Sequence, residues 1–469
     1  MKINGKYLII IISLSIAAFV AGCKSYTEGY DVNPIAPVSA QSNRTFIGAQ
    51  GAFDVFMEGF PSQDAAMWTQ QATGTDRQFT GYYNYITTAQ DFSNDWMLAY
   101  VGTLNNLRLV QSGASDEGQP NLAAAAKILE GIEMGTVTAL WGDVPYSQAG
   151  QSQVTLTPKF DSQLDAYSEV QAVLDAGITE LSANLAPLSA DIFSSQGNAN
   201  IWLKAAHTAK ARYYMHVARY NSYSAADLNN VISEANQGIL ATDGSEDLMF
   251  VHTGGVWNGD MNLWNSFLLT DRSGYFGAKN NFAVPMMKAM SLDGKTDDSG
   301  RLAHYFTSDG QDLNTSSGGA YSATAPYPIF RASETHLLLA EAYIRSGQTG
   351  NAITELNNAR QYNNNVFGDN SQPYVETDSA VSSANILQTI LNEEYLSLMH
   401  QVEAFNFARR VNFQIQYTDS TGTVVSLTPV TGSQFPQRFF YPTVEITANP
   451  NTPVQSTADL FKATMVNSK

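Results

Sequence analysis

Cysteine is all but absent, with Cys23 the only one in 469 residues. A lone thiol excludes a disulfide framework, and a chain without Cys23 has no thiolate zinc site and no thiol nucleophile. Charge is scarce as well. Only 14% of residues are charged, and 25 basic side chains face 43 acidic ones for a net charge of −18. No basic footprint for non-specific nucleic-acid binding exists, nor one for polybasic contact with a lipid surface. The apolar run from Leu8 to Val20 falls short of the ~20 residues that span a bilayer. Strict period-two alternation is rare. Neither an H-E-x-x-H pair, a G-x-S-x-G elbow, a phosphate-binding Walker loop nor a G-x-G-x-x-G turn after a strand is found. The sequence therefore points away from the common hydrolases and nucleotide enzymes, and no metal or cofactor is expected.

The N-terminus has a layout of its own. Lys2 and Lys6 precede the apolar run, and Val20-Ala21-Gly22-Cys23 follows it. A positive start, a short apolar middle and small residues at the end define a secretory signal peptide. Val-Ala-Gly-Cys also resembles a bacterial lipobox, which implies cleavage before Cys23 and lipid attachment to its thiol. Residues 1–22 then form the signal. Residues 23–45, with Pro34 and Pro37, read as a lipid-anchored tether, and residues 46–469 as the folded domain.

Within that domain helical spacing dominates. Leu164, Tyr167, Val170, Leu174, Ile178 and Leu181 recur at three and four, so they share one face of a helix over 162–181. Trp202, Ala206, Ala209, Tyr213 and Val217 do the same over 201–220. Further helices are expected over 121–140, 225–240, 334–345, 351–361 and 386–410. His336, Leu339, Ala340, Tyr343, Gly347, Ala352, Leu356 and Ala359 match the spacing of a tetratricopeptide repeat, with small residues where two antiparallel helices touch. Looser pairs fall around 123–181, 200–240 and 386–410. The fold class is all-α: tetratricopeptide-type helix pairs as scaffold, with long loop-rich insertions forming the ligand face.

Two insertions are rich in rings. Residues 60–100 hold Trp68, Phe79, Tyr82, Tyr83, Tyr85, Phe92, Trp96 and Tyr100. Residues 250–282 hold Trp257, Trp264, Phe267, Tyr275, Phe276 and Phe282. Long loops are uncommon unless functional, and aromatic faces flanked by Asn, Asp, Gln or Arg suit the C–H face and hydroxyl edges of a sugar. The candidate ligand-binding residues are Trp68, Arg77, Tyr82, Tyr83 and Tyr85 from the first stretch. Trp257, Asn258, Trp264 and Tyr275 come from the second.

Titratable residues give no catalytic constellation. His207 and His216 lie nine apart on one helix, a poor spacing for sharing a metal. Asp293, Asp297 and Asp298 miss the EF-hand spacing and read as a solvated loop. The adjacent acids Asp297-Asp298 and Glu393-Glu394 read as surface charge rather than a glycosidase dyad.

Several short segments stand in order along the chain. They are Trp141-Gly142-Asp143-Val144-Pro145-Tyr146, Pro158-Lys159-Phe160-Asp161, and Trp202-Leu203-Lys204 with Ala211-Arg212-Tyr213-Tyr214. Glu341-Ala342, then Glu393, Glu403-Ala404 and Arg409-Arg410 follow. Last come Pro436, Arg438, Tyr441-Pro442, Glu445 and Asn449-Pro450. This ordered set resembles the SusD/RagB family of nutrient-binding outer-membrane lipoproteins of Bacteroidetes. Asp298-Ser299-Gly300-Arg301 stands where the family often has D-P-R. The matched residues themselves read as structural. The resemblance implies a non-catalytic, cell-surface-exposed lipoprotein of the outer membrane. It would capture an oligosaccharide, or alternatively a peptide, and deliver it to a TonB-dependent SusC-like transporter. A glycan hydrolase and a protein-binding scaffold are the remaining alternatives.

Overall fold

A computed structural model of the protein describes residues 41–151, 155–255 and 260–469. Cys23, the signal and residues 23–40 of the tether lie outside them, as do Trp257 and Asn258. The first described helix, Ser42–Glu58, begins before the expected boundary at residue 46, so residues 42–45 belong to the folded unit.

The periodic segments become helices with recognisable ends. Ser162 and Ser224 cap the helices Gln163–Ser182 and Ala225–Ala235 by accepting the backbone N–H of Asp165 and Asp227, satisfying donors that the first turn leaves open. Pro120 starts Pro120–Trp141, where its missing N–H costs nothing. Helix pairs then stack in the tetratricopeptide manner. Pro120–Trp141 packs on Gln163–Ser182, Ala199–Tyr220 on Ala225–Ala235, and Ala332–Arg345 on Thr349–Phe367. Ala340, Ala352, Leu356 and Ala359 are all closed from solvent in one cluster. The 386–410 segment is interrupted at His400, whose φ is 56°. It forms Ile386–Ser397 and Val402–Arg410, the latter lying against Phe60–Trp68. Among the described residues, strands form only three two-stranded antiparallel ribbons.

Pro120–Trp141 is buried on nearly every side, as a helix apolar all round must be. Close approach there depends on glycine. A Cβ at Gly135 would sit 2.2 Å from the Tyr213 ring, and one at Gly177 would sit 2.8 Å from Ile128. Gly135→Ala is expected to lower stability by about 1–3 kcal/mol through overpacking. Urea denaturation checks it.

The family-like segments form the joints of this scaffold. Arg212 pairs with Glu334 at 2.6 Å, Arg301 with Glu393 at 2.6 Å, and Arg410 with Glu341 at 2.7 Å and Glu394 at 2.9 Å. Each of these side chains is at most 4% exposed. His216 bridges Glu403 and the Tyr167 hydroxyl. Glu393 and Glu394 are therefore interior acids, not surface charge. Asp298 likewise is buried against Arg301 at 2.6 Å rather than solvated. Arginine fits here because its planar fork reaches two carboxylates at once.

The C-terminal segment is tied to the helices by polar bonds. Trp141 Nε1 donates to the Phe440 carbonyl at 2.8 Å, and the Tyr441 hydroxyl donates to the Asp143 carbonyl at 2.8 Å. Arg438 donates to the Trp141 carbonyl. The Asn449 amide donates to the Pro158 carbonyl at 2.8 Å.

Candidate functional site

The two aromatic stretches meet. Thr73–Gly74 pairs antiparallel with Phe276–Gly277, and the Thr75 N–H donates to the Tyr275 carbonyl at 2.9 Å. This ribbon brings Phe267 within 5.0 Å of Phe79, between ring centres. Residues 60–100 are not the open loop expected from sequence. They form Phe60–Trp68, Arg77–Tyr83 and Ser93–Met97, and Ser93–Met97 runs through a π-helical stretch, Leu98–Leu104, into Asn105–Gly113. Phe92 and Trp96, four apart on one face, are buried.

Beside that junction lies a groove of about 1060 Å³. Phe60, Phe79, Tyr82 and Phe267 supply ring surface, and Met97, Leu98 and Val101 supply aliphatic surface; Gln63, Gln78, Asp91, Asn94, Asp95, Asp271 and Arg272 supply polar groups. Tyr82 is fixed by edge packing on Phe60 at 5.1 Å and by donating its hydroxyl to Asp91 at 3.0 Å. Burial and the Asp91 charge push the Tyr82 hydroxyl's pKa up, so it stays protonated and donating. Asp91 also accepts the Thr88 N–H at 2.7 Å, so it is a braced wall. The side chains of Gln63, Gln78 and Asn94 form no hydrogen bond within the described residues. Their donors and acceptors are open to a ligand.

Beneath the groove, Asp95 is 3% exposed with Oδ2 unpartnered, and neither oxygen of fully buried Asp64 has a partner. Burial and the Asp91 charge push the Asp95 carboxyl up to about 8. Burial, with Asp95 and Asp91 nearby, pushes Asp64 up as well. An acid that holds its proton in the fold but releases it when unfolded weakens the fold. That cost grows as pH climbs from the ordinary carboxyl range towards 8. Asp95→Asn is therefore expected to raise the thermal midpoint over the parent chain at pH 8 and to leave it unchanged near pH 3. Paired melts at the two pH values check this.

The expected site residues divide. Tyr82 lines the groove. Exposed Arg77 lies 5.4 Å from the centre of the Tyr275 ring, beside Phe79. Tyr83 is half-buried away from the groove lining, and burial raises the pKa of its hydroxyl. Trp68, Trp264 and Tyr85 are corrected to core residues. Trp68 is closed from solvent between Phe405 and Phe439, its Nε1 donating to the Tyr82 carbonyl at 3.1 Å. Trp264 stacks on His400 and donates to Ser62 at 3.2 Å. The Tyr85 hydroxyl accepts the Val430 N–H at 2.9 Å. Rings so occupied have no face for a ligand. Phe60, Gln63, Asn94, Asp95 and Met97 were missed. For Asn94 and Met97 the signal was the i, i+4 alternation in 91–98, where Asp91 and Asp95 flank the core-facing Phe92 and Trp96; Phe60 and Gln63 carried no such local signal.

A helical scaffold presenting one groove of ring surface and unpaired amides defines a binding protein. The family model described as "Starch-binding associating with outer membrane" matches residues 54–442. The chain belongs to this SusD-like family of non-catalytic, outer-membrane-associated binding proteins. No curated protein matches it. Its fold is similar to that of a SusD/RagB family protein from Bacteroides thetaiotaomicron: TM-score 0.63, 19% identity, covering 92% of this chain and 99% of that one. It is also similar to a chitin-binding SusD homolog from Flavobacterium johnsoniae, with TM-score 0.67 and 16% identity over 91% of this chain and 99% of that one. A SusD homolog from Bacteroides uniformis gives TM-score 0.66 and 18% identity over 87% and 94% of the two chains. At these identities the likeness is one of fold.

Proposed function

We propose that the groove captures a neutral oligosaccharide and that the protein hands it to a TonB-dependent SusC-like transporter. The protein would be held at the outer cell surface by a lipid on Cys23. The observation carrying this reading is the set of unpartnered amides of Gln63, Gln78 and Asn94 lining the same groove as the rings of Phe60, Tyr82 and Phe267. A sugar ring lays its C–H face on such rings, and its hydroxyls take the amides. Asp91 and Asp271 against the single Arg272 disfavour an anionic glycan. The family's starch-binding description and the chitin-binding relative support a glycan over a peptide. Arg77 and Tyr275 are proposed to extend the contact surface, and Trp257 and Asn258, outside the described residues, are proposed as further ligand contacts. Tethering on Cys23 would raise the local concentration at the transporter, so modest affinity suffices.

An array of neutral oligosaccharides, uronic-acid oligosaccharides and peptides, probed with the chain lacking residues 1–23, tests the reading. Retention of neutral oligosaccharides alone is the expected result. Retention of peptides alone would overturn it. Transfer is tested separately, by recovery of a β-barrel transporter with the lipidated protein from native membranes.

A further inference from the structure

Asp54 and Glu58 lie one turn apart on Ser42–Glu58, and His252 follows the strand Leu248–Phe250. One donor atom from each lies within 4.8 Å of the other two. Glu58 is closed from solvent and His252 is 6% exposed. His252 Nε2 sits 2.9 Å from Glu58 Oε2, and the other Glu58 oxygen accepts the Leu263 N–H at 2.8 Å. Asp54 Oδ1 is shut off from water and has no partner.

The scaffold's paired interior acids differ from this triad. The buried acids Glu334, Glu341, Glu393 and Glu394 each face an arginine. Among the described residues neither Asp54 nor Glu58 forms an ion pair with an arginine or lysine; the imidazole is the one ion-pairing partner seen, on Glu58. Neighbouring carboxyl groups with so little positive charge beside them are expensive to ionise together. A divalent cation would supply the missing charge and use the orphaned oxygen.

We propose that Asp54, Glu58 and His252 form a binding site for a divalent transition-metal ion of the zinc or manganese kind. One imidazole nitrogen with carboxylate oxygens, and no thiolate, is a donor set that suits these ions. Bonds of about 2.0–2.2 Å require the donors to draw in further, and Asp54, whose Oδ1 has no partner, is the arm that can turn. The Leu263 N–H orients Glu58 from behind, as outer-shell donors commonly do for ligating carboxylates. No metal motif marks the site in the sequence, because His252 lies 194 residues from Glu58. The ion would join the Ser42–Glu58 helix to the start of the 252–263 connection, which Glu58 already grips at its far end. This proposal does not depend on the glycan reading.

The test uses the untagged full chain, stripped with a chelator and dialysed against zinc chloride or, in parallel, manganese chloride. Metal analysis is expected to find one ion per chain. Affinity is expected to fall more than about tenfold in Asp54→Asn and in His252→Gln. The metal should raise the thermal midpoint of the parent chain and leave both variants unmoved. No retained metal in the parent, or equal retention by both variants, overturns the site and leaves a hydrogen-bonded triad only. Asp54→Asn preserves volume, so it decides the matter if His252→Gln fails to fold.

Discussion

Replacing Arg410 by methionine is expected to destabilise the fold by about 3–5 kcal/mol at pH 7, because two interior carboxylates lose their counter-charge. Arg410 joins Glu341 of Ala332–Arg345 to Glu394 of Ile386–Ser397 from its own helix, Val402–Arg410. Glu341 is closed from solvent and Glu394 is 2% exposed. Arg410 and Arg345 hold the Glu341 carboxyl down at about 2, whereas burial raises that of Glu394. A depressed carboxyl contributes stability that is present above its unfolded range near 4.5 and is lost as pH falls towards 2. The gap between parent and Arg410→Met should therefore be widest at neutral pH and narrow below about pH 4, as Glu341 takes a proton in both folded and unfolded variant chains. Urea denaturation at pH 7 and pH 3.5 reads both effects. An unchanged midpoint at pH 7 would mean that the pair is not a joint.

The second large effect falls on binding. Phe267→Ala and Asn94→Ala are each expected to weaken the captured oligosaccharide, and together they should weaken it by roughly 100-fold. Truncating one stacking ring is worth about 1.5–3 kcal/mol, and about 1.4 kcal/mol is tenfold in affinity. Both side chains reach the groove, and Asn94 holds no internal hydrogen bond within the described residues, so its loss should leave the melting curve in place. Trp68→Ala makes the contrast. It opens a cavity between Phe405 and Phe439 and should destabilise the fold by about 3–5 kcal/mol. Calorimetric titration beside thermal melts separates the two classes of variant.

The helical scaffold was legible because spacing alone places Leu164, Tyr167, Val170 and Leu174 on one face, and three of these four are deeply buried while Leu164 packs against the core. The repeat over 336–359 was legible for the same reason. Ring-rich segments were harder. A sequence does not distinguish a ring that meets a sugar from one that packs inside the protein, and Trp68, Trp264 and Tyr85 proved to be of the second kind. The acid pairs misled through distance along the chain. Glu393 finds Arg301 across 92 residues and Glu394 finds Arg410 across 16, so local charge density resembled surface. The groove's location in the two aromatic stretches was readable, but its floor was not. Asp95 and Gln63 matter because of what packs over them, a property of the tertiary fold.

A crystal structure of the chain lacking residues 1–23, bound to the oligosaccharide retained in the array, tests the binding claim most directly. The sugar rings should lie against Phe60, Tyr82 and Phe267. Hydroxyl or amide oxygens should stand within hydrogen-bond reach of Gln63, Gln78 and Asn94. An oligosaccharide seated elsewhere on the protein, with this groove holding only water, would contradict it.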